Sequence, residues 1–233
     1  MAAVTPATDA APDSGAADPG PAGPAAVDLA AERPLDARLG RLAFWGLVVF
    51  TFAYCAVLLA AMSVQLFGHE RPCPLCMLQR YAMILATIPP MWIVTDALRG
   101  RLSRLRYVAG LGLSIIASVA GGLESTRQIL LHIASKTDPG YGSAVVGLHL
   151  YTWALITFVV VVLFCGVLLV LAPTVAPVAP AAAGARWVAR AVVWLFLGVI
   201  VVNVVLIVLL EGLSWVLPDD PANYRLLHEL GVR

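Results

Sequence analysis

The sequence predicts an all-α, polytopic transmembrane helical bundle, with a four-helix core and a fifth, C-terminal transmembrane helix. Three observations carry that expectation. First, 61% of the 233 residues are hydrophobic and only 12% are charged, against about 45–50% apolar and about 25% charged in soluble domains. A water-soluble fold of this length keeps roughly 30% of its unfolded surface exposed, which is too much to hide such a composition. The mean hydropathy of +0.89 agrees. Second, five apolar runs approach the roughly 20 residues that a helix needs to cross a hydrocarbon core of about 30 Å. Third, Lys and Arg are shared unevenly between alternate connections. A net charge of +1 excludes the global field expected of a nucleic-acid or polyanion binder.

Taken in order, residues 1–40 are mostly Ala, Pro, Gly and Asp without an aromatic residue. Such a stretch cannot offset its ordering entropy and predicts a disordered tail. It is not read as a secretory signal, because no Lys or Arg precedes Arg33 and no apolar run begins before Leu42. The core is expected over 41–172. Its runs are Leu42–Leu66, Met77–Thr95 with Arg80 as its only charge, Tyr107–Leu123 extended through Glu124 and Ser125, and Leu148–Leu171. Pro89-Pro90 interrupts the second run. A stop at Ile88 would leave a helix of about 18 Å, too short to span, so a kinked but continuous helix is predicted. A Pro/Ala-rich linker follows at 173–190, then a fifth span at 191–210 and a tail at 211–233.

Orientation follows from the basic residues. With the N-terminus inside, the inner segments hold nine Lys and Arg and the outer segments five. The connection Asp96–Arg106 alone carries four arginines. The N-terminal tail and the linker are therefore expected in the cytoplasm, and the C-terminal tail outside.

The first outer connection reads Phe67-Gly68-His69-Glu70-Arg71-Pro72-Cys73-Pro74-Leu75-Cys76 and continues as Met77-Leu78-Gln79-Arg80-Tyr81. A Cys-x-x-Cys pair closes a small disulfide ring, and a stabilised thiolate makes that ring readily exchanged. Cys76 falls at the start of the second helix, where unpaired N–H groups and the helix dipole favour an anion. Arg80 is four residues on, along the same face, and Arg71 lies two residues before Cys73. Pro72 and Pro74 stiffen the loop. The expected depth, at the outer membrane boundary, lies within reach of an aqueous partner and of a lipid-dissolved molecule. An arginine inside a span is a functional candidate by default; the alternative is that Arg80 snorkels to the headgroups.

The run Pro72-Cys73-Pro74-Leu75-Cys76-Met77-Leu78-Gln79-Arg80-Tyr81, between two spans, resembles the disulfide-bond-formation protein B (DsbB) family. The resemblance extends over about 42–172. It implies a bacterial inner-membrane oxidoreductase that oxidises a periplasmic thioredoxin-fold, DsbA-like dithiol protein and passes two electrons to ubiquinone or menaquinone. It implies Cys73 and Cys76 as the redox pair, with Cys76 facing the quinone. Arg80 and Gln79 become quinone-side residues, joined more weakly by Arg127 of an Arg127-Gln128 dipeptide and by Glu124, for which an ordinary interfacial acid is an equal reading.

The chain departs from that pattern twice. Family members usually carry a second cysteine pair in the second outer connection, whereas Ser125–Gly147 contains none. Cys55 and Cys165 are no substitute. They lie roughly 16 Å and 25 Å down their helices, while a disulfide needs Cα atoms within about 7 Å. The fifth helix is the other departure, since four are usual. Direct exchange of the partner with Cys73–Cys76 is chemically sufficient. A paralogue that reduces its partner, or a non-enzymatic membrane protein with a structural cysteine pair, are the alternative readings.

No metal site is expected. Cys73, Cys76, His69 and His132 would make a Cys₂His₂ set, but His132 follows a different helix. Met77 stands where haem attachment requires His. His69 reads as loop solvation, His149 with Tyr151 and Trp153 as an interfacial belt, and Asn203 as hydrogen-bonding glue between helices.

Overall fold

An apolar span in lipid has to satisfy its own backbone hydrogen bonds, and the helix does so within one segment. The apolar runs accordingly form helices in the computed structural model, which describes residues 34–67, 73–133, 144–145, 147–212 and 225–230. In chain order these are α1 (Pro34–Phe67), α2 (Pro74–Leu98), α3 (Arg104–Ile133), a short hairpin of β1 (Ala144–Val145) and β2 (Leu148–His149), α4 (Leu150–Leu171), α5 (Ala183–Glu211) and α6 (Arg225–Glu229). The hairpin is antiparallel, pairing Ala144 with His149 and Val145 with Leu148. Five helices, α1 to α5, are long and apolar enough to cross a membrane. The protein is an all-α polytopic bundle.

α2 is the central helix and meets α1, α3, α4 and α5. Pro74 occupies its first turn, where a missing N–H costs nothing. The helix continues through Pro89-Pro90 to Leu98, so the second span has its full length. α3, packed between α2 and α4, buries Tyr107, Gly110, Leu111, Ser114, Ser118, Gly121, Ser125 and Gln128. This helical spacing of small side chains lets helices approach closely. At Gly121 a Cβ would lie 2.7 Å from Ala82 Cβ and would overlap the Phe158 ring, so α2, α3 and α4 meet where only glycine fits. The Phe50 and Phe164 rings stack at 5.8 Å and join α1 to α4. α5 lies against α1 and α2.

The boundaries differ from expectation in three places. α1 starts at Pro34 rather than after residue 40; the rest of the expected tail lies outside the described residues. α3 runs eight residues past the expected end at Ser125, which turns the first part of the expected second connection, including Arg127 and Gln128, into helix. α5 starts at Ala183, eight residues before the expected 191. The arginine of its first turn finds a partner beyond the apolar run: Arg186 donates to Leu98 O at 2.9 Å, at the C-terminus of α2. Arg104 likewise donates to Ala172 O at 3.0 Å and to Pro173 O. The connection between α4 and α5 is held to the bundle as well. Val178 N donates to Gly40 O at 3.0 Å, and a Cβ at Gly40 would lie 2.5 Å from Ala176 O. At this end of the bundle Arg106 also pairs with the buried Asp96 at 2.7 Å.

Candidate functional site

The other end of the bundle carries the two vicinal cysteines. Cys73 has extended backbone and caps α2, its Sγ accepting from Cys76 N at 3.3 Å. Cys73 O takes the Met77 N–H at 3.1 Å. The cap bends the short Cys73–Cys76 segment back on itself, and the two sulfurs stand 2.7 Å apart. Both thiols are free. Cys76 sits in the first turn of α2, where the helix dipole favours negative charge.

α3 closes over the pair. Gln128 Nε2 donates to Cys73 Sγ at 3.4 Å and to Cys76 Sγ at 3.5 Å. Its Oε1 accepts from Gln79 Nε2 at 2.7 Å. Gln79 thereby fixes the direction of the Gln128 amide and aims its donor at the sulfurs. Both glutamines are buried. The hydrogen bond to the Cys76 sulfur, and after it burial, push the Cys73 thiol above the usual thiol range.

α1 receives the arginine. Arg80 is 7% exposed, one turn along α2 from Cys76. It donates to Gln65 Oε1 at 2.6 Å and to Ala61 O at 3.0 Å. Burial and these α1 partners exclude the snorkelling alternative for this conformation. The cost of a charge at that depth is met by the Gln65 and Ala61 oxygens.

Of the residues that the sequence singles out, Cys73, Cys76, Gln79 and Arg80 gather at the start of α2. Arg127 does not join them. Its side chain is 66% exposed and lies 4.0 Å from Glu124 Oε2, one turn back on the same helix. Successive residues on a helix point about 100° apart, so Gln128 facing α2 turns Arg127 away. Exposure also departs from expectation at the pair itself. Cys73 is 8% exposed and Cys76 more so, because capping tucks the Cys73 sulfur beneath Gln128. His69, Arg71 and Pro72 lie outside the described residues. His132 and His149 flank the Tyr151 ring at 5.6 and 5.2 Å. Among the described residues no three His, Cys, Asp or Glu side chains form a metal-binding group. Cys55 and Cys165 are free and fully buried.

Two site residues escaped the sequence reading. The sequence marks Gln128 only as the neighbour of Arg127; its place on the buried Ser118, Ser125 stripe is the available signal. Gln65 is the sole amide in the first apolar run, and that isolation was its signal.

The family model described as disulfide bond formation protein DsbB matches residues 43–140, which span α1 to α3. A curated relative, disulfide bond formation protein B of Azoarcus sp. (strain BH72), is 34% identical over 97 residues, which is 41% of this chain and 56% of that protein. Disulfide bond formation protein B 2 of Burkholderia lata is 31% identical over 97 residues, 42% of this chain and 51% of that protein. The chain spans about half the length of these curated relatives. No solved structure matches it.

Proposed function

We propose, from the match of residues 43–140 to the family model of disulfide bond formation protein DsbB, that this protein is an inner-membrane thiol–disulfide oxidoreductase. It takes two electrons from a periplasmic thioredoxin-fold, DsbA-like dithiol protein through Cys73–Cys76 and delivers them to membrane ubiquinone or menaquinone. The observation that carries this reading is the sulfur pair itself: 2.7 Å apart, served by one amide donor, with a buried arginine one helical turn away. The nine-to-five distribution of basic residues supports an orientation with the N-terminus in the cytoplasm, the C-terminus in the periplasm and the Cys end outward.

In the oxidised protein, a partner thiolate attacks Cys73 Sγ. The Cys73–Cys76 bond breaks and the Cys76 sulfur leaves with the electron pair. The Gln128 amide, the α2 N-terminus and Arg80 stabilise that charge, which makes Cys76 the better leaving group. The partner's second thiolate then attacks the mixed disulfide and releases Cys73. The partner is now oxidised and the pair reduced by two electrons. With 8% exposure at Cys73, exchange there requires local opening of the α2 N-terminus. No cysteine occurs in Ser125–Gly147, so the partner exchanges directly with this pair.

The residues near Cys76 fit a quinone head group. Arg80 is a fixed cation and Gln65 Nε2 is a buried donor without a hydrogen-bond partner among the described residues, and carbonyl oxygens accept from both types of group. When bound, the quinone supplies the two-electron acceptor that returns the pair to the disulfide. Arg80, oriented by Gln65 and Ala61 O, holds negative charge at that boundary. Arg127 and Glu124 have no part in this reading.

Purified protein mixed with a reduced thioredoxin-fold dithiol protein and ubiquinone should form quinol, and Cys76→Ser should accumulate a partner–Cys73 mixed disulfide. Absence of both would leave the cysteine pair as a structural staple and sink the proposal.

A further inference from the structure

α5 brings a polar group to the same end of the bundle as Arg80, about one turn deeper. Asn203 has no exposed surface, and neither its Nδ2 nor its Oδ1 has a hydrogen-bond partner among the described residues. The sequence reading of Asn203 as glue between helices is therefore not met among the described residues, where a glue residue would bond across an interface. An amide buried without partners is costly, and such cost persists where a ligand repays it.

Its position follows from interhelical contacts and helix geometry. α2 and α5 run antiparallel, because Arg186 near the start of α5 bonds Leu98 O at the end of α2, while Ile207 and Leu210 near the end of α5 pack with Met77 and Tyr81 near the start of α2. Asn203, Ile207 and Leu210 are spaced by four and three residues and share one helix face. Asn203 lies one turn, about 6 Å, inward of Ile207. Arg80 and Tyr81 lie one turn inward of Met77 on α2. α5 also touches α1, where Arg80 is bonded to Gln65 and Ala61 O. Tyr81, next to Arg80, packs against Ile207 and Leu210, so Asn203 lies about one turn inward of Arg80. Three helices thus bring a buried arginine, the unpartnered Nε2 of Gln65 and, a turn deeper, an unpartnered amide to the same end of the bundle.

We propose that Asn203 is a quinone-binding residue, and that α5, which lies beyond the segment matched to the family, supplies the third wall of the acceptor site. The inference rests on the quinone-linked reading above. An amide suits a quinone because its N–H donates to a ring carbonyl without adding a charge to the membrane interior. Since Asn203 has no accessible surface, the ring reaches it only as α5 gives way from α2 by about one ring thickness, roughly 3.5–4 Å.

The test compares wild type with Asn203→Leu, which keeps the side-chain size and removes the amide. Binding of ubiquinone-1 to the quinone-free protein in detergent is read by tryptophan quenching, melting is measured without quinone, and reduction of the Cys73–Cys76 disulfide by dithiothreitol is timed. The proposal expects a roughly tenfold weaker dissociation constant, the loss of one hydrogen bond. Melting should be unchanged or raised, and the dithiothreitol rate unaltered. Unchanged ubiquinone-1 affinity in Asn203→Leu, with wild type binding normally, overturns the proposal and leaves the oxidoreductase reading standing. Wild type that neither binds nor reduces ubiquinone-1 overturns both.

Discussion

Replacing Gln128 by Leu should separate the redox role of this residue from its structural one. Its Nε2 is shared between the two sulfurs at 3.4 and 3.5 Å. A hydrogen bond to a charged acceptor is worth about 1.5–3 kcal/mol, and these long contacts to sulfur belong at the low end. A disulfide sulfur is a weak acceptor, so most of that energy, about 1.4 kcal/mol, stabilises the reduced pair only. Losing it makes reduction harder and lowers the midpoint potential by about 30 mV for a two-electron couple. A second effect is distinct. Gln79 Nε2 loses its acceptor at 2.7 Å and remains buried, which costs about 1–3 kcal/mol in both redox states. Equilibration of Cys73–Cys76 with glutathione buffers measures the potential, and denaturation in detergent measures the stability. The Gln79→Leu, Gln128→Leu double variant should recover stability and keep the lowered potential, since the apolar pair leaves no orphaned amide. A Gln128→Leu potential within a few millivolts of wild type, or a potential restored in the double variant, would refute the assignment of Gln128 to the thiolate.

Arg80→Met should lower quinone reduction at least about tenfold, the value of one charge-assisted hydrogen bond, while thiol exchange at Cys73–Cys76 keeps its rate; stopped-flow measurement of the two half-reactions separates them. Changing both Cys55 and Cys165 to Ala should leave turnover intact and cost stability only, because both are free and fully buried in the bundle; loss of turnover would give them a redox role. Reporters fused after Arg233 and near Ala182 should lie on opposite sides of the membrane, the first periplasmic and the second cytoplasmic, and a cytoplasmic C-terminal reporter would remove α5 from the spanning set.

Much of the bundle was legible in the sequence because its causes are local. Length and apolarity over 42–66, 77–95, 107–123, 148–171 and 191–210 define helices in a solvent without hydrogen bonds. The continuity of α2 through Pro89-Pro90 follows from the thickness a span must cover. The Cys-x-x-Cys spacing, the Pro at the helix start and Arg80 one turn on are features of a single segment, and local geometry puts them together at the start of α2. The remaining features depend on which helices become neighbours, and that is decided by packing between segments distant in the chain. Only the close approach of α2 and α3 at Gly121 brings Gln128 over the sulfurs and leaves Arg127 facing outward. Only the seating of α1 beside α2 gives the Arg80 charge the oxygens of Gln65 and Ala61. The burial of Cys73 follows from its sulfur turning in to cap α2 beneath Gln128, which a loop position in sequence does not convey. α5 is the clearest case: its apolarity announced a span, but the burial of Asn203 beside α1 and α2 depends on α5 returning antiparallel to α2, a choice made by side-chain fit across the bundle.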